Sequence, residues 1–178
     1  MSGHNKWSKI KHKKASEDAR KSKVFSMLVK TITIESKRAK GDVNDPGLRT
    51  AIEKAKASNM PANNIERAIE KGKSKDSGSL EEVMYEAYGP GGVALIIDGI
   101  TDNPNRTTPE IKHLLSDFNL SLGEKGSALW AFTKNNNSWG PKVTIPLSDD
   151  DKEKLKEIIE VLEDHEDVKN IYTNAETL

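Results

Sequence analysis

The sequence has no cysteine, only 5% aromatic residues and no long apolar run. Without cysteine the chain cannot form disulfide bonds, thiolate zinc sites, iron–sulfur clusters or a cysteine nucleophile, and it suits a reducing compartment. No apolar run is longer than residues 93–97, which is far shorter than the roughly 20 residues of a membrane-spanning helix. The basic N-terminus is followed by no apolar signal segment, and Glu17 and Asp18 are unusual for a mitochondrial presequence. We therefore expect a cytoplasmic protein without a membrane partner.

Charge is distributed unevenly along the 178 residues, although 28 Lys and Arg balance 28 Asp and Glu. Residues 1–75 contain 19 basic and 8 acidic residues, a net charge of +11, whereas residues 76–178 contain 9 and 20, a net charge of −11. Such asymmetry indicates two parts with different partners, the first suited to a polyanion. Residues 73–79 contain no apolar side chain and are typical of a linker, so we predict domains over residues 1–77 and 78–178.

Apolar spacing predicts three helices in the basic half. Residues 3–14 show neither a helical nor a strand period, so we predict an extended basic arm there. Ser16 is the expected N-cap of a long helix that ends near Gly41. After a turn rich in Asp, Asn, Pro and Gly comes a second helix, and a third is expected from Pro61 to Gly72, with the glycine as its C′ residue.

The acidic half has the pattern of a small mixed domain. Residues 83–88 and 93–100 are rich in Val, Ile and Tyr and flank a Gly-Pro-Gly-Gly turn, which predicts a β-hairpin. Two stretches share one helical apolar spacing, residues 105–118 and 149–163. Further strands are predicted at residues 128–133, 142–147 and 168–172. The predicted fold class is α+β: a basic domain of three helices plus the arm, then an acidic, sandwich-like domain of about five strands and two helices.

No group of residues has the pattern of a catalytic or metal site. Gly72, Lys73 and Ser74 resemble the end of a phosphate loop, but the required upstream glycine is replaced by Arg67. The four histidines lack the spacing and the carboxylate neighbours of a zinc site. Three acids at residues 149–151 are what a helix N-terminus favours. We predict a non-enzyme with no catalytic residue, metal, cofactor or small-molecule substrate.

The basic arm and the start of the first helix combine dense positive charge with one aromatic side chain. Lysines that neutralise phosphates release counterions, and an indole can stack on a base, so this segment is predicted to bind nucleic acid. A solubilising lysine-rich surface is the structural alternative, and an adaptor role, in which the acidic domain binds a basic protein and the arm only tethers, is a more remote one. The candidate contacts are Lys6, Trp7, Lys9, Lys11, His12, Lys13, Lys14, Arg20, Lys21 and Lys23.

The second and third helices have the proportions of a helix-turn-helix, a weak signal that any helical hairpin would match. Candidate contacts there are Arg49, Asn63, Asn64 and Arg67. In the acidic half, Arg106 follows a polar turn and is also a candidate contact. It could equally bond local carbonyls or carboxylates, so both interpretations stay open.

Several motifs resemble, in order, those of the YebC/PmpR family. They are residues 3–14 (GHNKWSKIKHKK), 59–61 with 64–69 (NMP and NIERAI), 85–94 (YEAYGPGGVA), 101–103 with 105–107 (TDN and NRT), and 122–124 with 126–127 (LGE and GS). The resemblance covers residues 1 to about 134, and residues 155–172 are similar to the family's closing helix and strand.

The resemblance implies a non-enzymatic regulator of gene expression, either a ribosome-associated translation factor that relieves stalling or a DNA-binding transcriptional regulator. It also implies a helical domain followed by an α/β domain with a third domain inserted. Only ten residues, 133–142, lie where the family has this insertion, so we expect the third domain to be absent. The N-terminus matches the family's own start, which implies a bacterial-type protein of the cytosol.

Overall fold

The computed structural model describes residues 4–74, 78–136 and 138–176, with side chains from residue 17 onward. Over these described residues the fold is α+β, as predicted, with five α-helices and two antiparallel sheets. The chain divides into two compact units, Met1–Gly78 and Ser79–Leu178.

The first unit is a bundle of three helices: α1 (His4–Ala39), α2 (Pro46–Ala57) and α3 (Ala62–Lys73). Ile32 of α1 is fully buried at the centre of its core. The other buried apolar residues are Leu48, Ala51, Ala55, Met60, Ile65 and Ala68. The three alanines of this set allow the helices to approach closely, so a core of few large side chains is sufficient for this unit.

The predicted extended arm is wrong, because α1 begins at His4 and runs without interruption through Ser16. An apolar period marks a helix face that packs on a core, and a helix can form without one. Lysine is a good helix former, and adding residues to an existing helix avoids the cost of nucleation. Ser16 is therefore inside the helix rather than its N-cap.

Gly72 does not end the third helix, contrary to the prediction. It is buried inside α3, and the N–H of Ser74 at the C-cap bonds to the carbonyl of Glu70. A Cβ at position 72 would lie 2.5 Å from the carbonyl oxygen of Thr33. Glycine is therefore required here by the close approach of α1, which local sequence patterns do not reveal.

The second unit contains five strands and two α-helices. In chain order they are β1 (Glu81–Tyr88), β2 (Ala94–Thr101), α4 (Pro104–Ser116), β3 (Phe132–Asn135), β4 (Ser138–Pro141), α5 (Asp149–Glu163) and β5 (Val168–Thr173). One sheet has the order β1-β2-β5, and β3 pairs with β4 in a second sheet. All these pairings are antiparallel. The predicted hairpin of β1 and β2 and the helix over 149–163 are confirmed.

Both faces of the three-stranded sheet are covered. On one face, Leu95 and Ile97 of β2 pack with Ile111 of α4 and Leu155 of α5. On the other, Ala94 and Ile96 pack with Ala128, Ala131 and Phe132, and the partly buried Trp139 joins them. Because side chains alternate between the two faces of a strand, successive residues of β2 lie in two different cores.

Two predicted strands are wrong in their placement. Residues 128–133 hold a short 3-10 helix, Leu129–Ala131, followed by β3. Residues 142–147 form no strand beyond a single bridge from Ile145 to Ala175. Their alternating pattern arises because Ile145 and Leu147 pack against the core between the sheet and the helices. Pro146 has no N–H group to donate to a neighbouring strand.

Candidate nucleic-acid interface

Most of the positive charge of the first unit lies on α1. This helix has eleven Lys and Arg against three acids, a net charge of +8. Its first described side chain that packs on the core is Phe25, and residues 17–22 are exposed. The 21 residues from His4 to Val24 give a helical segment about 32 Å long. It contains eight of the basic residues and two acids.

The candidate contacts predicted on the arm all lie on this segment. The side chains of Lys6, Trp7, Lys9, Lys11, His12, Lys13 and Lys14 are outside the described residues, so the structure places only their backbone. Arg20 and Lys21 are exposed, and the Lys21 ammonium lies 5.6 Å from the centre of the Phe25 ring. Lys23 is half-buried. Arg20 and Lys21 are therefore the described side chains best placed to meet an external anion.

The other candidates of this unit lie on α2 and α3. Arg49 is exposed, with its Nε 3.9 Å from Glu53. Asn63 and Arg67 are exposed one turn apart on α3, so they share a face of this helix, whereas Asn64 is half-buried. The N-terminus of α2 is held by Asp45, whose carboxylate accepts bonds from the N–H groups of Gly47 and Leu48.

In the second unit, Arg106 is enclosed by carboxylates. Its guanidinium lies 2.6 Å from Glu166 and 2.7 Å from Asp167, with Glu110 and Asp102 at 3.5 and 3.4 Å. The hydrogen bond to Glu166 is the largest of the interactions that raise the pKa of Arg106. Of the two interpretations left open by the sequence, this geometry favours the intramolecular one.

Asp167 explains why this arginine is needed. The carboxylate is fully buried and accepts hydrogen bonds from Arg106 and from Thr107 Oγ1, the latter at 2.6 Å. A buried carboxylate without such partners would be strongly destabilising. These hydrogen bonds connect the start of α4 to the residue before β5.

Tyr88 and Trp130 form an exposed aromatic pair that sequence reasoning missed. Trp130 Nε1 donates to the Tyr88 hydroxyl at 2.9 Å, and Trp130 is 56% exposed. The sequence does contain one signal for this pair, the composition of the segment around Trp130. In a chain poor in aromatics, two of the three tryptophans lie in residues 125–148, a stretch with three lysines and no acid.

Among the side chains of residues 17–74, 78–136 and 138–176, no three His, Cys, Asp or Glu are grouped as metal ligands would be. Over the same ranges, no helix combines the length and the apolar character that crossing a bilayer requires.

Two family models match the chain. The model described as TACO1/YebC protein N-terminal domain matches residues 5–75, and TACO1/YebC second and third domain matches residues 80–137 and 131–175. A crystal structure of a conserved hypothetical protein, Aq1575, from Aquifex aeolicus is similar with a TM-score of 0.83. The two are 27% identical, and the similarity covers 90% of this chain and 92% of that one.

Curated relatives extend the similarity. A probable transcriptional regulatory protein of Petrotoga mobilis is 47% identical over 91% of this chain and 61% of its own length. A probable transcriptional regulatory protein of Geobacter sulfurreducens is 51% identical over 88% of this chain and 62% of its own length. This chain thus spans about three fifths of the length of these two relatives.

A third relative is matched over almost its whole length. A probable transcriptional regulatory protein of Thermoanaerobacter pseudethanolicus is 38% identical over 239 positions, which cover 99% of this chain and 97% of the relative. Since this chain has 178 residues, at least 61 of these positions have no counterpart in it.

Proposed function

Because the chain belongs to the TACO1/YebC family, we propose that it is a non-enzymatic, nucleic-acid-binding regulator of gene expression whose basic unit contacts phosphates. The observation that carries this proposal is the charge of α1. About 32 Å of continuous helix, with a net charge of +6, precedes Phe25, the first described side chain that packs on the core of the unit. A row of phosphates is the partner that such a helix fits.

The proposed target is the ribosome, where the protein would act as a translation factor that relieves stalling. The resemblance to the family motifs supports this choice, and ribosomal RNA offers both dense phosphate and unpaired bases. The proposed contacts are Lys6, Trp7, Lys9, Lys11, His12, Lys13, Lys14, Arg20, Lys21 and Lys23. The proposal places the protein in the cytoplasm.

Duplex DNA is the second candidate target. The curated relatives are named probable transcriptional regulatory proteins, and an α-helix has the width that the major groove of B-DNA accepts. In this proposal Asn63 and Arg67, one turn apart on α3, read base edges, and Asn64 and Arg49 are further contacts. Replacing Asn63 and Arg67 by Ala would then relax sequence preference more than total affinity.

The domain arrangement is also part of the proposal. We propose a phosphate-binding domain over residues 1–77 and an acidic domain over 78–178 that lacks the relatives' inserted segment near residues 133–142. The gapped alignment with the Thermoanaerobacter protein supports this proposal. Any activity of the relatives that depends on the inserted segment would be missing from this chain.

The test is co-sedimentation with ribosomes at near-physiological salt, with and without an excess of random duplex DNA. Pelleting that survives the DNA supports the ribosome, whereas release by the DNA supports the second candidate. Replacing Lys13 and Lys14 by Glu should abolish pelleting, because two phosphate contacts become repulsive. The matched control is Lys154→Glu with Lys156→Glu, an equal charge change at exposed positions of α5. Equal loss in both variants would argue against a specific role of α1.

A further inference from the structure

We propose that Tyr88 and Trp130 form a stacking platform for an unpaired base of a single-stranded nucleic acid. The inference rests on the proposed function, since it assigns a second contact to the same ligand class, in the acidic unit. Tyr88 ends β1, and Trp130 lies in the 3-10 helix Leu129–Ala131. Neither aromatic belongs to the phosphate-binding segment of α1.

The platform is held in a fixed orientation. The Trp130 indole N–H donates to the Tyr88 hydroxyl at 2.9 Å, and this hydroxyl donates in turn to the carbonyl of Ser127. The polar atoms of both rings are thus used internally. Trp130 remains 56% exposed and Tyr88 37% exposed, so aromatic surface is available to a ligand. An aromatic side chain that is already oriented loses little entropy when a base stacks on it.

Glu86 anchors the segment that leads to the indole. Its side chain is buried, and its carboxylate accepts bonds from the N–H groups of Gly126, Ala128 and Leu129 at 2.6, 2.7 and 3.0 Å. Bonds from N–H groups to a carboxylate are stronger than those between neutral groups. Trp130 follows this anchored segment directly, so its position is fixed by β1.

The charge of the segment around Trp130 favours a nucleic acid as the ligand. The second unit is acidic overall, but residues 125–148 contain Lys125, Lys134 and Lys142 and no acid. All three lysines are exposed, and the backbone N–H of Lys142 bonds to the carbonyl of Ala131, the residue after the indole. Exposed aromatic rings combined with lysines are how proteins bind single strands, whereas duplex bases are stacked on one another and offer no free face.

The experiment compares single-stranded and duplex RNA by fluorescence anisotropy with the full chain. The probe is a labelled strand of about 12 nucleotides of alternating C and A, used alone or annealed to its complement. Trp130→Ala should weaken binding of the single strand about tenfold, the scale of one lost stacking contact, and leave binding of the duplex unchanged. Trp130→Phe should retain most of the affinity. Val143→Ala is the control, because Val143 is 53% exposed in the same acid-free stretch.

A second measurement does not depend on how the alanine variant folds. In protein labelled with 5-fluorotryptophan, the ¹⁹F resonance of Trp130 is identified by its loss in Trp130→Phe, and it should shift when the single strand is added. A resonance that moves with a proline-rich peptide but not with RNA would overturn the proposal, since aromatic surfaces also bind such peptides.

The outcomes separate this inference from the proposed function. If the unaltered protein binds neither form of RNA, the platform and the ribosomal target fail together, and duplex DNA is left as the target of α1. If it binds both forms, and Trp130→Ala changes neither affinity or lowers both equally, the platform is wrong and the phosphate contacts of α1 stand. Selective loss of single-strand binding supports the platform.

Discussion

Asp45 shows how a single side chain can begin a helix. Its carboxylate accepts the N–H of Gly47 at 2.9 Å and that of Leu48 at 3.2 Å, two donors that have no partner within α2. Arg38 lies 3.5 Å away. The bond from Leu48 does most to lower the pKa of Asp45, and the bond from Gly47 and the charge of Arg38 lower it further against partial desolvation.

Asp45→Ala should therefore lower the melting temperature by a few degrees, because two N–H groups lose their acceptor. Folding lowers the pKa of this carboxyl, so at acidic pH the native state binds fewer protons than the unfolded chain. The stabilisation is complete well above the ordinary value of 3.8 and is lost as the pH falls through the lowered pKa. The measurement is thermal unfolding, followed by circular dichroism, from neutral to acidic pH.

Asp45→Asn is the matched control for this prediction. The amide oxygen can still accept the two bonds but cannot be protonated in this range, so most of the stability should remain at neutral pH. The part of the pH dependence that belongs to residue 45 should disappear. An alanine variant as stable as the unaltered protein at neutral pH would show that the cap contributes nothing.

Among the elements, α1 and α3 approach each other unusually closely. Ser36 Oγ of α1 donates to the carbonyl of Ile69 at 2.7 Å, and Thr33 Oγ1 lies 3.4 Å from the carbonyl of Ala68. Both hydroxyls are on buried residues. Gly72 faces the same part of α1, so small side chains and side-chain hydrogen bonds replace bulky apolar packing between the two helices.

Gly72→Ala should destabilise the first unit by about 1–2 kcal/mol, although alanine normally favours a helix by about 0.5–1 kcal/mol. The added Cβ would lie 2.5 Å from the Thr33 carbonyl oxygen and 2.6 Å from Ser36 Cβ, so α1 and α3 must separate. Urea denaturation of the full chain measures the change. Lys71→Ala, at an exposed position of the same helix, is the control and should have little effect. A gain in stability from Gly72→Ala would contradict the close packing.

At the scale of the whole molecule, charge is separated between the two units. Residues 1–75 have a net charge of +11 and residues 76–178 a net charge of −11, so the total of zero conceals a strong asymmetry. A polyanion would be attracted to one unit and repelled by most of the other. The acid-free stretch of residues 125–148 is the exception within the acidic unit.

Binding of nucleic acid should consequently weaken steeply as salt is added. For a duplex DNA probe, the logarithm of the binding constant should fall linearly with the logarithm of the salt concentration, by about 0.9 for each phosphate contacted. Replacing Lys13 and Lys14 by Glu should make this slope shallower by about 2, because two contacts are lost.

Fluorescence anisotropy over a salt series measures these slopes. The control variant, Lys154→Glu with Lys156→Glu, changes the net charge by the same amount, but its slope should equal that of the unaltered protein. Binding that does not depend on salt would contradict a phosphate-based interface.

Local patterns were sufficient to predict much of this architecture. The apolar spacing of Leu155, Ile158 and Leu162 places one side of a helix in a core, and the structure has that helix within the predicted limits. The apolar strands around the Gly-Pro-Gly-Gly turn pair as predicted. Helical spacing and turn chemistry act over a few residues, so they can be read without knowing what the element packs against.

The failed predictions share a physical cause. Residues 4–14 are helical as part of α1, whose later residues Phe25, Leu28 and Ile32 pack in the core of the unit. Residues 142–147 alternate like a strand, yet β3 pairs with Ser138–Pro141, which has no such alternation. In both cases the outcome is decided by neighbours rather than by the segment itself.

The sequence by itself determined the separation of charge, the α+β class and most helices of this protein, because these follow from composition and from periods of a few residues. Only the tertiary structure decided that Arg106 meets Asp167, that Gly72 meets Thr33 and that Trp130 meets Tyr88. These partners lie roughly forty to sixty residues apart in the chain. No local propensity encodes such distant contacts, since they form only when packing brings separate elements together.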